Sequence, residues 1–200
     1  FAASDPLAIA QYTNDFVFLE EGDVAELTAN TYKVFDANQN EVEREVTHID
    51  ITNQAMSKGD YKHYMEKEIY EQPEAVMNTI SGRIGDDVLD NISGPGSSEL
   101  FSKVKSIQIV ACGTSLHAGR VAANWLSAIA DLPCQVDYAS EYRYRNPYVG
   151  KNSLLITISQ SGETADTLAA LRYAKEKNYL GSVSICNVST SSLARESDFV

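Results

Sequence analysis

Positive charge is scarce in this chain. Its 200 residues carry 16 lysines and arginines against 28 aspartates and glutamates, a formal net charge of −12. Nucleic-acid binding and attachment to an anionic membrane both need a basic footprint, so that balance argues against each. Cysteine is scarcer still. Cys112, Cys134 and Cys186 are an odd number, far apart, each in or beside an apolar strand-like run. That is the pattern of buried thiols in a reducing compartment, not of a disulfide framework or a zinc site. No apolar run approaches the ~20 residues of a membrane span. The first residues lack the basic and apolar regions of a signal peptide. Low-complexity segments and solenoid-type repeats are missing too. A cytoplasmic protein without metal or cofactor is the expectation. The remaining composition, 44% hydrophobic and 22% charged, is ordinary for a soluble globular protein. The length allows one full domain, or one domain and part of another.

What the chain does have is a pair of similar turns. Residues 154–158 form an apolar run that stops in Ser159-Gln160-Ser161-Gly162-Glu163-Thr164, after which a helical pattern runs from Ala165 to Lys177. Upstream, Ile107 to Cys112 is strand-like, Gly113-Thr114-Ser115 follows, and Leu116 to Ala130 is helical. A helix N-terminus presents unpaired N–H groups at the positive end of the helix dipole, a ready anion site. Ser159, Gln160, Ser161 and Thr164 add side-chain donors. The P-loop lysine is absent, so the turn suits a phosphomonoester held by hydrogen bonds and not a nucleotide P-loop. Ser161 and Ser115 can also be read as plain helix N-caps. One cap needs one hydroxyl, however, and the turn has a surplus. Glu163 is expected to point away from a bound anion and to support the positive end of the helix. In one parallel sheet both turns would fall at the carboxyl ends of the strands, where open α/β folds bind ligands.

The rest of the chain divides by pattern. Residues 1–54 alternate like antiparallel β structure, with Phe16–Leu19 and Val24–Thr28 on either side of Glu21-Gly22-Asp23. Tyr32–Phe35 and Glu41–Val46 flank a polar turn at residues 36–40. Asp5-Pro6 can cap and start a short helix. Residues 55–60 have linker composition. A helical spacing begins near Tyr61, with Pro73 expected to break it, kink it or start a second helix. His63 reads as a solvated or packing residue. Residues 81–96 form a connection that can hold a short strand near Val88-Leu89. Helices near 98–104, 116–131 and 165–177 then alternate with strands near 107–112, 134–139, 153–158 and 182–187. This is the grammar of a parallel α/β sheet covered on both faces. Tyr142-Arg143-Tyr144-Arg145 is a basic–aromatic cluster that suits either a pocket mouth or interface, or a plain surface loop. Phe1 is not a natural start and Asp198-Phe199-Val200 reads as a strand beginning, so an internal piece of a longer chain is expected.

Cys112-Gly113-Thr114-Ser115, followed 45 positions after Thr114 by Ser159-Gln160-Ser161-Gly162-Glu163-Thr164, resembles the sugar-isomerase (SIS) domain. Residues 64–73, 139–145 and 192–198, with Phe1–Asp5 and Phe18–Asp23, narrow the resemblance to the glutamine–fructose-6-phosphate aminotransferase (isomerizing) family. The resemblance implies three regions. Residues 1–54 would be the end of an Ntn-type glutaminase domain, 55–96 a linker with helices, and 97–200 a first SIS domain incomplete at its end. It implies sugar-phosphate contacts at Thr114, Ser115, Ser159, Gln160, Ser161 and Thr164, with fructose 6-phosphate and glucosamine 6-phosphate as ligands. It also implies glutamine as nitrogen donor and a homodimer.

The family's reaction transfers ammonia from glutamine to fructose 6-phosphate and isomerises the product. By the same resemblance, its N-terminal cysteine nucleophile lies before Phe1. Its catalytic glutamate, ring-opening histidine and C-terminal lysine lie after Val200. No catalytic residue is then expected in the chain, His117 included. A non-catalytic SIS sensor of sugar phosphates is the alternative. It would be expected to carry a basic helix-turn-helix ahead of the SIS domain, where this chain has an acidic, hairpin-rich segment. A phosphosugar isomerase without a glutaminase is a nearer enzymatic alternative, and residues 1–54 speak against it.

Overall fold

A computed structural model describes residues 1–3, 6–49, 58–84 and 92–200. The chain forms two compact units, Phe1–Asn78 and Thr79–Val200. Asp5, residues 55–57 of the linker-like stretch and Val88-Leu89 lie outside the described residues.

The first unit opens with a 3-10 turn, Pro6–Ala8. Strands β1 (Asp15–Val17), β2 (Val24–Leu27), β3 (Tyr32–Phe35), β4 (Glu41–Val42) and β5 (Val46–His48) follow. The expected hairpin at residues 36–40 forms, pairing Val34 with Val42 and Phe35 with Glu41. Asp36 builds its turn by accepting the backbone N–H of Asn38 at 2.8 Å and of Asn40 at 2.9 Å.

The segments either side of Gly22 do not pair with each other. Phe16 lies opposite Thr47 in a β1–β5 ladder, whereas β2 pairs with β3. A side-chain interaction accompanies this long-range choice. Asp23, whose side chain is 1% exposed, receives a two-pronged bond from Arg44, with Nε to Oδ2 and Nη2 to Oδ1 both at 2.9 Å. That grip lies just ahead of β5 and draws the chain back towards the Gly22 turn.

Helix α1 (Tyr64–Ile80) closes the unit, and Pro73 stands inside it. The proline removes one helical N–H, yet the helix neither ends nor restarts there. His63 is exposed just ahead of it.

The second unit is a four-stranded parallel sheet of β6 (Ser106–Ala111), β7 (Cys134–Tyr138), β8 (Ser153–Ser159) and β9 (Gly181–Cys186), in the order β7-β6-β8-β9. Its helices are α2 (Ser97–Ser102), α3 (Gly113–Ala130), α4 (Ala139–Tyr142), α5 (Ala165–Lys175) and α6 (Ser192–Glu196). The two central strands, β6 and β8, are buried along nearly their whole length because both faces are covered, whereas the edge strand β7 is not. Ile107, Ile109, Leu154 and Val183 form one core with Leu126 and Leu100. Val110 and Leu155 form the other with Tyr142, Leu168, Leu171 and Leu193. Successive residues of one strand thus feed opposite layers.

Helix α3 approaches its strand closely at Gly119, where an added Cβ would lie 2.9 Å from Ile109 Cγ2. In this unit the ends of the expected helices and strands hold to within about three residues, the start of α3 at Gly113 differing most from its expected 116. The short helices α4 and α6 had no counterpart in the sequence pattern. Phe199 makes a parallel bridge to Val183, as its strand-like character suggested.

Candidate functional site

The two polar turns meet at the carboxyl edge of the sheet. Strands β6 and β8 are neighbours with Ala111 opposite Ile158, and β8 and β9 pair Ser159 with Cys186. Continuing that register, Cys112 falls beside Ser159, one strand spacing of about 4.8 Å away. The Thr167 hydroxyl, in the first turn of α5, approaches Cys112 Sγ at 3.9 Å and ties the second turn to the first.

Two helix N-termini open at this edge, and no side chain caps either one. Cys112 is the N-cap of α3, which places Thr114 and Ser115 in the first turn; Ser115 is not a cap. Thr164 is the N-cap of α5, in place of Ser161. A threonine cap ordinarily bonds an amide of its own first turn. Thr164 instead has Oγ1 3.4 Å from Ser159 Oγ. The first-turn amides of both helices consequently lack a side-chain acceptor, and the helix offers none.

The hydroxyls of the second turn also shape it. Ser159, 6% exposed, accepts the backbone N–H of Gly162 at 3.0 Å, and Ser161 accepts that of Glu163 at 3.2 Å. A hydroxyl that accepts from an amide keeps its own proton to donate. Gln160 and Thr114 are exposed, while Ser115, Ser161 and Thr164 are half-buried. All six residues therefore sit on two adjoining turns.

The second turn is interlocked with the segment after β9. Gly162 has φ +70°, a conformation suited to glycine. An added Cβ there would collide with Ser191 and come within 2.8 Å of Cys186 Sγ. Gly162 O accepts from Leu193 N at 3.0 Å. The Glu163 carboxylate is bonded outside its own helix. Its Oε1 accepts the backbone N–H of Ser192 at 2.7 Å, at the start of α6. Sequence reasoning did not find Ser191 and Ser192. Ser191 is the N-cap of α6 and accepts from Ala194 N, and Ser before Leu-Ala-Arg-Glu is a usable start signal.

The basic–aromatic cluster comes apart in space. Tyr142 is fully buried and shares a 2.7 Å hydrogen bond with Tyr179. Burial first, and that bond second, push its phenol far above the usual tyrosine range. Arg145 pairs with Asp137 at 2.5 Å. Arg143 stacks on Tyr144 at 4.7 Å and lies 3.7 Å from Asp166, in the first turn of α5.

A separate depression of about 430 Å³, lined by residues 146–149 and 176–178, lies at the amino-end edge of β8, opposite both turns. His117 is exposed one residue beyond Leu116 on α3. Among the described residues no cluster of three or more His, Cys, Asp or Glu is placed to hold a metal. No described helix is long and apolar enough to cross a membrane.

The pattern of the SIS domain matches residues 100–200, which takes in the whole sheet and both turns. The chain belongs to the SIS domain family. Its curated relatives are named glutamine–fructose-6-phosphate aminotransferase [isomerizing]. Those of Idiomarina loihiensis and Escherichia coli K12 are each 54% identical over 199 residues, 99% of this chain and 33% of the relative. The chain thus spans about a third of the length of these relatives. Among solved structures, the C-terminal domain of glucosamine-fructose-6-phosphate aminotransferase from Francisella tularensis superposes with a TM-score of 0.69 at 56% identity. That match covers 72% of this chain and 40% of the other. The expected α/β class, a parallel SIS sheet preceded by antiparallel hairpins, agrees with the observed strands.

Proposed function

We propose that this chain is the sugar-phosphate-binding part of an enzyme that makes glucosamine 6-phosphate from fructose 6-phosphate and glutamine. The observation that carries the reading is the pair of uncapped helix N-termini on adjacent strands, each bearing hydroxyls, in a chain 54% identical to the named aminotransferases. A phosphate dianion seated between them would accept from the first-turn amides of α3 and α5. Thr114, Ser115, Ser159, Gln160, Ser161 and Thr164 would add side-chain donors. Such charge-assisted bonds are short and strong, and the helix dipoles favour the negative charge. The chain's −12 net charge does not prevent this, because screening confines distant charges to about 8–10 Å in physiological salt.

In this reading the chain anchors the substrate, and ring opening and proton transfer between C1 and C2 are the work of residues outside it. Anchoring the phosphate fixes the reacting carbons against those groups, which is the usual use of remote binding energy. Residues 1–54 are then the end of a glutaminase domain, 55–96 a connection and 97–200 most of a first SIS domain. A cytoplasmic homodimer using glutamine as nitrogen donor completes the proposal.

The test is substrate-specific kinetics in the full-length protein. Substitutions at Ser161 and Thr164 should weaken fructose 6-phosphate without weakening glutamine. Equal loss for both substrates would sink the assignment of these residues to the phosphate.

A further inference from the structure

We propose that Glu163 is a positioning residue for the phosphate-binding turn, acting through helix α6 and touching no ligand itself. This rests on the reading of the turn as a phosphate anchor. A carboxylate inside such a turn is at first sight a defect, since it would repel a dianion a few ångströms away. The structure removes the conflict by aiming it elsewhere. Glu163 Oε1 receives Ser192 N at 2.7 Å, and the neighbouring Gly162 O receives Leu193 N at 3.0 Å. Two successive residues of the turn thus hold two successive amides of the next strand–helix unit. Gly162 leaves no clearance against Ser191, so the two segments cannot slide past one another.

The far end of the same segment is fastened too. Glu196, the last residue of α6, takes Arg172 Nε at 2.9 Å and Nη2 at 2.7 Å. Arg172 belongs to α5, whose first turn is one wall of the anion site. The connections form a ring that runs from the turn through Ser192 and Leu193, along α6 to Glu196, across to Arg172, and back down α5 to Thr164. Ser161 and Thr164 flank its links on the turn, and Glu163 supplies a side-chain link there. Removing it leaves the Ser192 amide without this acceptor and frees one side of the turn. The acceptor oxygen, not the negative charge, is what the ring requires, so an amide side chain should serve.

The experiment compares Glu163→Ala, Glu163→Gln and Thr164→Ala in the full-length enzyme. It measures KM for fructose 6-phosphate, KM for glutamine, and hydrogen exchange of the 191–194 amides. Glu163→Ala should raise KM for fructose 6-phosphate about 3- to 10-fold, leave that for glutamine unchanged and speed exchange at 192–193. Glu163→Gln should stay within about 2-fold of the parent in all three. If Glu163→Ala speeds exchange without changing KM for fructose 6-phosphate, the positioning role is wrong. If Glu163→Gln is as impaired as Glu163→Ala, the charge acts directly and the proposal is equally wrong. Thr164→Ala separates the two levels. An unchanged KM in that variant overturns the phosphate reading, whereas a raised KM alongside a silent Glu163→Ala overturns only the ring.

Discussion

Gly162 and Ser191 are packed with no space between them for a single additional carbon. They come from different strand–helix units, yet they meet at the polar turn between β8 and α5. Gly162 also holds φ +70°, so an alanine there would suffer both a backbone penalty and a collision. Gly162→Ala should destabilise the protein by at least about 2 kcal/mol, from the two effects together. Thermal or denaturant unfolding of the variant measures this. Adding Ser191→Gly should recover part of the loss, the collision with Ser191 but neither the close approach to Cys186 Sγ nor the backbone term. Full recovery would show that the left-handed conformation contributes nothing.

Thr164 gives the sharpest functional prediction. A hydroxyl donated to a phosphate dianion is worth about 1.5–3 kcal/mol. In the full-length enzyme, Thr164→Ala should raise KM for fructose 6-phosphate by roughly 10- to 150-fold and leave KM for glutamine within experimental error. The helix itself should survive, because Thr164 makes no side-chain cap bond to α5. Circular dichroism and unfolding of the variant check that separately.

Much of this site was legible in the sequence because its signals are local. An apolar run ending in hydroxyls and glycine, followed by helical spacing, needs no distant partner to be recognised, and the turns after β6 and β8 stand where that pattern puts them. Pairing between distant segments was not legible. Phe16–Leu19 and Val24–Thr28 look like a hairpin, and it is contacts distant in sequence, Asp23 with Arg44 and Asp15 with His48, that accompany the different partner of β1. Which residue stands at the N-cap position of α5 was misjudged for a related reason. Ser161 and Thr164 are both acceptable caps, and the choice falls to Ser159, Gly162 and the shape of the turn. Glu163 bonds a helix that begins 29 residues later, a choice that no reading of α5 alone could reveal. Helices as short as α4 and α6 have too few residues for a period to show.

Acid should loosen the fastening between α5 and α6. The hydrogen bonds from Arg172 hold the Glu196 carboxyl below its ordinary value of 4.5. A carboxyl lowered on folding adds stability that is fully present above the unfolded value, and that is lost as pH falls through the folded one. The stability gap between the parent and Glu196→Gln should be largest above about pH 5 and should close on further acidification. Unfolding curves across that range test the sign. A gap that widened towards acid would mean the pair is not held in this way.

The 200-residue chain, purified free of host enzymes, should form no glucosamine 6-phosphate and release no ammonia from glutamine. The anchor lies in the chain, whereas the groups assigned to the chemistry do not. Turnover by the isolated chain would place a catalytic group among residues set aside here, with His117 examined first.

The register of the sheet also bears on how the site comes into being. Ser106 and Ser153, whose hydroxyls meet at 2.5 Å, are 47 positions apart, and the strands they open lead at their far ends into the two uncapped helix N-termini. Parallel neighbours of this kind pair only after the intervening crossover has been ordered, which is a slow, non-local event in folding. A partly folded chain can own either helix N-terminus, but it cannot own the gap between them. If the proposed function holds, a phosphosugar recognises only the completed sheet and acts as a mass-action stabiliser of it, raising the unfolding temperature with the logarithm of its concentration. On that reading, ligand supply becomes one determinant of how much of the protein stays folded in a cell, where transiently opened chains are removed by proteases.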